Sequence, residues 1–255
     1  MQWSAWAKAM MSVAALFVLG SSASVQAQSL LNNQRWTIDS DVMFLKLHSS
    51  VGFADENTFD FDTSEKIAVT YLSDCNVGVR GTWFSYDHQN TDPVVGLVDF
   101  ETYNIDLEVF KRVNFTSSVI EISAGLRHNG SELDFRNDNH DFYGTGGLFG
   151  IRGGVKVREN GLLFSKAKFA VLMGDGRNDA NAFPGLNVAA REMVRSQTEL
   201  GFGYEHRIQF ACATIIPHFG AEWQIWDGYA PDPVDEHPES SLGLFGFFTG
   251  LGINF

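Results

Sequence analysis

The residues of this chain best placed to do chemistry are charged side chains set inside apolar runs at even spacing. Asp39 and Asp41, Asp106 and Glu108, and Lys166 and Lys168 are two apart. Arg152 and Lys156 are four apart, and Arg80, Glu121, Arg127, Arg195, Glu199 and Glu222 sit singly in similar surroundings. In an extended chain, even spacing puts side chains on one face. A face carrying both signs of charge can line a passage and exert a transverse field on ions and small hydrophilic solutes. It can equally close on itself as a salt-bridged core, which is stable only when every charge is satisfied. The sequence leaves both arrangements open.

Other chemistries are weaker. Asp87, His88, His128 and Asp141 form the one plausible hydrolytic set, with Ser131 nearby, but no serine lies in a Gly-x-Ser-x-Gly elbow. His218 and Glu222 are four apart, roughly 13 Å along a strand, too far for a direct pair. The run Gly144-Thr145-Gly146-Gly147 lacks the Lys-Ser/Thr ending of a phosphate-binding loop and reads better as glycines on a crowded wall. His48, His88, His128, His140 and His237 fall near the ends of apolar runs, where they could gather around a divalent metal or simply lie on a wet rim. We expect the wet rim, no enzyme, no cofactor and no metal site.

The first 27 residues have the parts of a secretory signal: Lys8, an apolar run from Met10 to Leu19, and small residues leading to Val25-Gln26-Ala27. That run is too short for a membrane helix, and no later segment approaches the roughly 18 to 20 apolar residues such a helix needs. If residues 28–255 enter a membrane, they must do so as a closed barrel. With 18 Lys+Arg against 31 Asp+Glu, the chain is a poor match for nucleic acid. Its 25 Gly and 22 Phe, against only 6 Pro, suit strands with close backbone approaches and aromatic faces. Cys75 and Cys212 are too far apart in sequence for a CxxC motif; they form a disulfide or remain separate thiols.

Period-two alternation predicts ten strands, near residues 36–47, 65–72, 76–87, 98–110, 117–127, 142–157, 161–173, 193–206, 209–226 and 242–255. Turns at 73–76, 111–116, 158–161 and 207–208 are short, whereas connections at 48–64, 88–97, 128–141, 174–192 and 227–241 are long and polar. Long and short connections in strict alternation fit an all-β, antiparallel up-and-down transmembrane barrel of about ten strands, within a range of about 8 to 12. One face of the last strand, from Phe245 through Phe247, Leu251 and Ile253, ends on Phe255. A soluble sandwich would also alternate, but this ending and the leading signal favour the barrel.

With the strands placed, the chain resembles the pore-forming Legionella-type major outer membrane protein family, especially its planctomycete-like members. The stretches carrying the resemblance include Asp41 to His48, Phe59 to Asp62, Gly78 to Trp83 and Ser123 to Arg127. Glu199 to Glu205, Glu222 to Asp227 and Gly250 to Phe255 continue the series in order. Lys46 stands where the pattern has an arginine. The resemblance implies a porin-like barrel in the bacterial outer membrane, with the charged residues above lining its lumen. Its partners would be outer-membrane lipid, small hydrophilic solutes, and the barrel assembly machinery through the C-terminal strand. The alternative is a closed structural or surface-interaction barrel with acidic outer loops; an outer-membrane hydrolase comes last.

Overall fold

The computed structural model describes residues 35–49, 60–92, 96–135, 138–180, 188–227 and 241–255. The signal segment 1–27 and much of the first and last long connections lie outside the described residues. Ten long strands are present: β1 (Arg35–Ser49), β2 (Asp62–Leu72), β3 (Val77–Asp92), β4 (Gly96–Asn114) and β5 (Ser118–Phe135) form the first half. The second half is β6 (Asp138–Val157), β7 (Gly161–Ala180), β8 (Val188–His206), β9 (Thr214–Asp227) and β10 (Ser241–Asn254). Each pairs antiparallel with its sequence neighbours, and β10 also pairs with β1, so the sheet has no free edge. The closure reaches the last residue: Phe255 and Trp36 exchange two backbone hydrogen bonds of 3.0 Å.

Alternation sets the two surfaces. Side chains such as Leu107, Ile122, Phe149, Met173, Phe202 and Phe247 point outward, all more than half exposed. No soluble protein turns such a continuous apolar belt to water, and in hydrocarbon every backbone group of a closed barrel is still paired. Trp36 and Tyr71 pack at one rim with ring centroids 5.0 Å apart and planes tilted by 52°, where amphipathic rings suit the headgroup level. The chain is therefore a transmembrane barrel of the outer-membrane type.

Three strand pairs extend well past the sequence expectation. Connections expected at 88–97, 128–141 and 174–192 are in large part ladder, because β3 runs to Asp92, β5 to Phe135 and β7 to Ala180. Toward this end of β3–β6 the outward face turns acidic while the pairing continues: Asp87, Glu101, Glu132 and Asp141 are successive cross-strand neighbours from β3 to β6, the last two within an expected connection. Polarity that reads as loop in sequence is here the wet face of strands that have left the bilayer. Burial and the neighbouring Asp87 carboxylate hold the carboxyl groups of Asp99 and Glu101 above their ordinary range.

The turn expected at Arg207-Ile208 is also corrected. Ile208 and Gln209 still pair with Ile215 and Thr214, and the chain reverses over Phe210 to Ala213, so β9 starts at Thr214 rather than 209. The ladder is interrupted at Ile216 and Pro217, which has no N–H to donate, while the register is the same on both sides of the gap. At the other turns, Asn76 and Arg158 take positive φ of 58° and 66°, a conformation asparagine accepts more readily than most residues. Cys75 and Cys212 lie in two of these turns, exposed and unbridged. Both should react with a maleimide in the folded, unreduced protein. With the short turns on the periplasmic side, as in outer-membrane barrels with long outer connections, an impermeant maleimide should reach them in intact cells only after the outer membrane is opened; labelling of both before that step would invert this orientation.

Candidate functional site: the charged interior of the barrel

Inward-facing positions build a layer of ions at mid-height. The Arg127 guanidinium binds both oxygens of Asp106 at 2.6 Å and Glu199 at 2.6 Å. Lys168 lies 2.6 Å from Glu108 and 3.0 Å from Asp106, and Ser123 donates to Glu108 at 2.7 Å. Lys66 joins Glu222 at 2.9 Å and Glu199 at 3.5 Å, while Lys166 meets Glu222 at 2.5 Å. Four cations thus face four carboxylates, and Arg127, Glu108 and Glu222 are at most 1% exposed. Neutrality is what the site demands, since an unpaired charge at this depth costs several kcal/mol.

Glycines make the crossings possible. Gly201 is the register partner of both Lys166 and Glu222, and a Cβ there would lie 2.6 Å from the lysine Cε. Gly250 stands in the same way between Asp41 and His218, whose side chains bond across it. The His218 Nδ1–H donates to the Ile216 carbonyl at 3.0 Å, so the bond to Asp41 requires a second proton, on Nε2 or on the carboxyl. Aromatic rings support the stems of the cations: Arg195 stacks 4.3 Å over Phe142, Arg152 4.6 Å over Phe164, and Arg80 4.8 Å over Phe110.

On the outer side of the ion layer the interior is tightly packed, with apolar side chains set among buried polar ones such as Thr102, Asn104, Asn129, Gln197 and Gln224. Met43, Leu45, Tyr86, Phe100, Trp226 and Leu244 are packed there with at most 2% exposure. On the turn side lies a cavity of about 450 Å³, reaching from the mouth at Thr37, Arg207 and Asn254 up to Lys66, Lys166 and Lys168. In it Arg80 and Arg112 share Glu121, at 2.5 and 2.9 Å, and Arg152 and Arg207 share Glu205, at 2.6 and 3.2 Å. Asp39 and Asp41 stand on β1 in the same cavity.

The residues singled out in the sequence are distributed as follows. Asp106, Glu108, Arg127, Lys166, Lys168, Glu199 and Glu222 come together in the ion layer, and Asp39, Asp41, Arg80, Glu121 and Arg152 line the turn-side cavity. Arg195 lies higher, among the apolar side chains. Lys156 is a correction: it is exposed at the turn rim, and its Nζ donates to the Thr116 carbonyl at 3.2 Å. The inward parity is kept, but the strand there has left the lumen. Lys66, Arg112 and Arg207 were missed; Lys66 shares its parity with Ala68 and Thr70 in a short strand, and that parity was the available signal.

The hydrolytic set is not assembled. His88 points inward and bonds Asp62 at 2.7 Å, whereas His128 points outward to Thr145 at 2.9 Å. Among the described residues no three His, Cys, Asp or Glu side chains could hold a metal ion. Gly146 lies on β6 with its α-carbon against the Val171 backbone, so the Gly144 to Gly147 run is barrel wall.

No family model matches the chain, and no curated protein matches it. Similar solved structures include the outer membrane protease OmpT from Escherichia coli, at 10% identity and TM-score 0.48, covering 92% of this chain and 99% of that one. The attachment invasion locus protein Ail of Yersinia pestis is similar at 9% identity and TM-score 0.39, covering 88% and 99%. Neisserial surface protein A is similar at 20% identity and TM-score 0.37, covering 66% and 94%. None of these likenesses is close enough to transfer a function.

Removing one charge from the ion layer leaves the buried remainder with one charge uncompensated. Arg127→Met should therefore destabilise the barrel by about 3–5 kcal/mol, read as an earlier urea midpoint in detergent micelles. Lys156→Met should leave that midpoint nearly unchanged. Equal effects of the two substitutions would contradict the placement of both residues.

Proposed function

We propose that this chain is a closed barrel of the bacterial outer membrane that displays an acidic rim at the cell surface, and that it is neither an open diffusion pore nor an enzyme. The observation that carries the reading is the double seal. A neutral, paired ion layer crosses the lumen, and close-packed apolar and polar side chains with almost no exposure cover it on the outer side. An open passage needs a continuous wet path, and neither layer offers one. The rim reading rests on the ladder of Asp87, Glu101, Glu132 and Asp141, with Asp99 and Asp134 paired in the next row. Like charges directly opposite destabilise a sheet, so keeping them favours a role toward cationic partners outside the cell.

A gated passage, in line with the resemblance to the pore-forming family, is the second reading. It is favoured by one observation: the ion layer is made of long side chains rather than backbone, and the cavity already leads to it from the turn side. Planar-bilayer recording separates the two. The folded wild-type protein should be electrically silent, and stable conductance steps without any stimulus would overturn the closed reading.

The acidic rim has its own test. Glu101→Gln removes one like-charge neighbour on each side and should stabilise the barrel by about 0.2–1 kcal/mol. The same change should weaken adsorption of polylysine to the folded protein in nanodiscs, an effect that salt should diminish. A loss of stability would show that Glu101 is held by a partner within the barrel.

A further inference from the structure

The turn-side cavity carries more structure than a lining of paired charges requires, and its charges are sorted by wall. Glu121 and Glu205 each serve two arginines, so one positive charge is left in excess beside each. On β1 the balance is the other way: Asp41 is engaged by His218, while Asp39 has no hydrogen bond or ion pair among the described residues. In a ring of ten strands β1 and β6 are diametrically opposed, so Asp39 faces the Arg152 wall across the lumen. One further group is without a partner. The Thr82 hydroxyl lines the same cavity, is 7% exposed, and makes no hydrogen bond. A buried hydroxyl left unsatisfied costs about 1–3 kcal/mol, a cost that a bound polar molecule removes.

We propose that this cavity is a binding site for a small dipolar molecule, an amino acid or short peptide, with its ammonium group on Asp39 and its carboxylate toward Arg152. The volume of about 450 Å³ falls in the range of small-molecule sites. A simple anion would satisfy the arginine wall and be repelled by Asp39; a simple cation would meet the reverse. A molecule with both charges at its ends answers both walls. The guanidinium of Arg152 is held by Glu205 at 2.6 Å and by the Phe164 ring, so its remaining N–H groups are fixed in place before a ligand arrives. Because the cavity opens beside the short turns and ends at the ion layer, the molecule enters from the periplasmic side and returns to it.

The test is calorimetric titration of the folded, detergent-solubilised protein with the dipeptide alanyl-alanine, its N-acetyl form and its C-terminal amide. Saturable binding of the free dipeptide is expected, with each blocked form at least about tenfold weaker. Asp39→Asn, checked for heat-modifiable migration, should weaken the free dipeptide by a similar factor. It should leave the N-acetyl form no weaker, since that form has no ammonium group to lose and is relieved of repulsion by the Asp39 carboxylate. Absence of saturable heat with the free dipeptide, equal affinity for all three forms, or an unaltered affinity in Asp39→Asn would each overturn the proposal.

Discussion

Charge pairing inside a lipid-bounded wall is the constraint on which the rest of this barrel depends. A narrow barrel has inward positions close to one another from every side, and outside them lies hydrocarbon. A lysine or arginine placed there can reach neither headgroups nor bulk water along a wide channel, so its countercharge must come from another strand. Lys66, Arg127, Lys166 and Lys168 find theirs in Asp106, Glu108, Glu199 and Glu222. Because Glu199 and Glu222 each join more than one cation, the pairs form a single layer. Such a layer holds strands from distant parts of the sequence at a fixed separation, which a ladder of neighbouring strands alone does not do.

That constraint explains the glycines. A charge layer assembled from side chains on β2 through β9 needs space at the intervening inward positions. Gly201 supplies it between Lys166 and Glu222, and Gly250 does the same for the Asp41–His218 pair in the cavity below. Composition alone shows glycine to be abundant; only the register shows that these two are the gaps over which bonds form.

Much of the architecture was legible because alternation is a local property. The order of ten strands, the closure of the last on the first, and the inward parity of nearly every singled-out charge follow from which residues are two apart. The strand ends were harder to read, since Glu132, Asp134 and Asp141 have the composition of loop while their backbones remain paired. The ion layer was out of reach for another reason. Lys66 meets Glu199 across 133 positions of sequence and Glu222 across 156, and alternation specifies a face without specifying a height or an opposing wall. For the same reason both the conducting and the closed interior were compatible with the sequence.

The neutrality of the mid-height layer bears directly on the cavity beneath it. A layer with surplus positive charge would have offset Asp39 from above, and one with surplus negative charge would have engaged the arginines that share Glu121 and Glu205. Because its own charges are matched, the layer contributes little net field to the space below. The cavity then keeps the sidedness built into its walls, with carboxylates on β1 and guanidinium groups opposite. Pairing the mid-height charges and sorting those beneath them are thus two results of one arrangement: the ions that cross the barrel are also what leave Asp39 and Arg152 facing each other across a polar space.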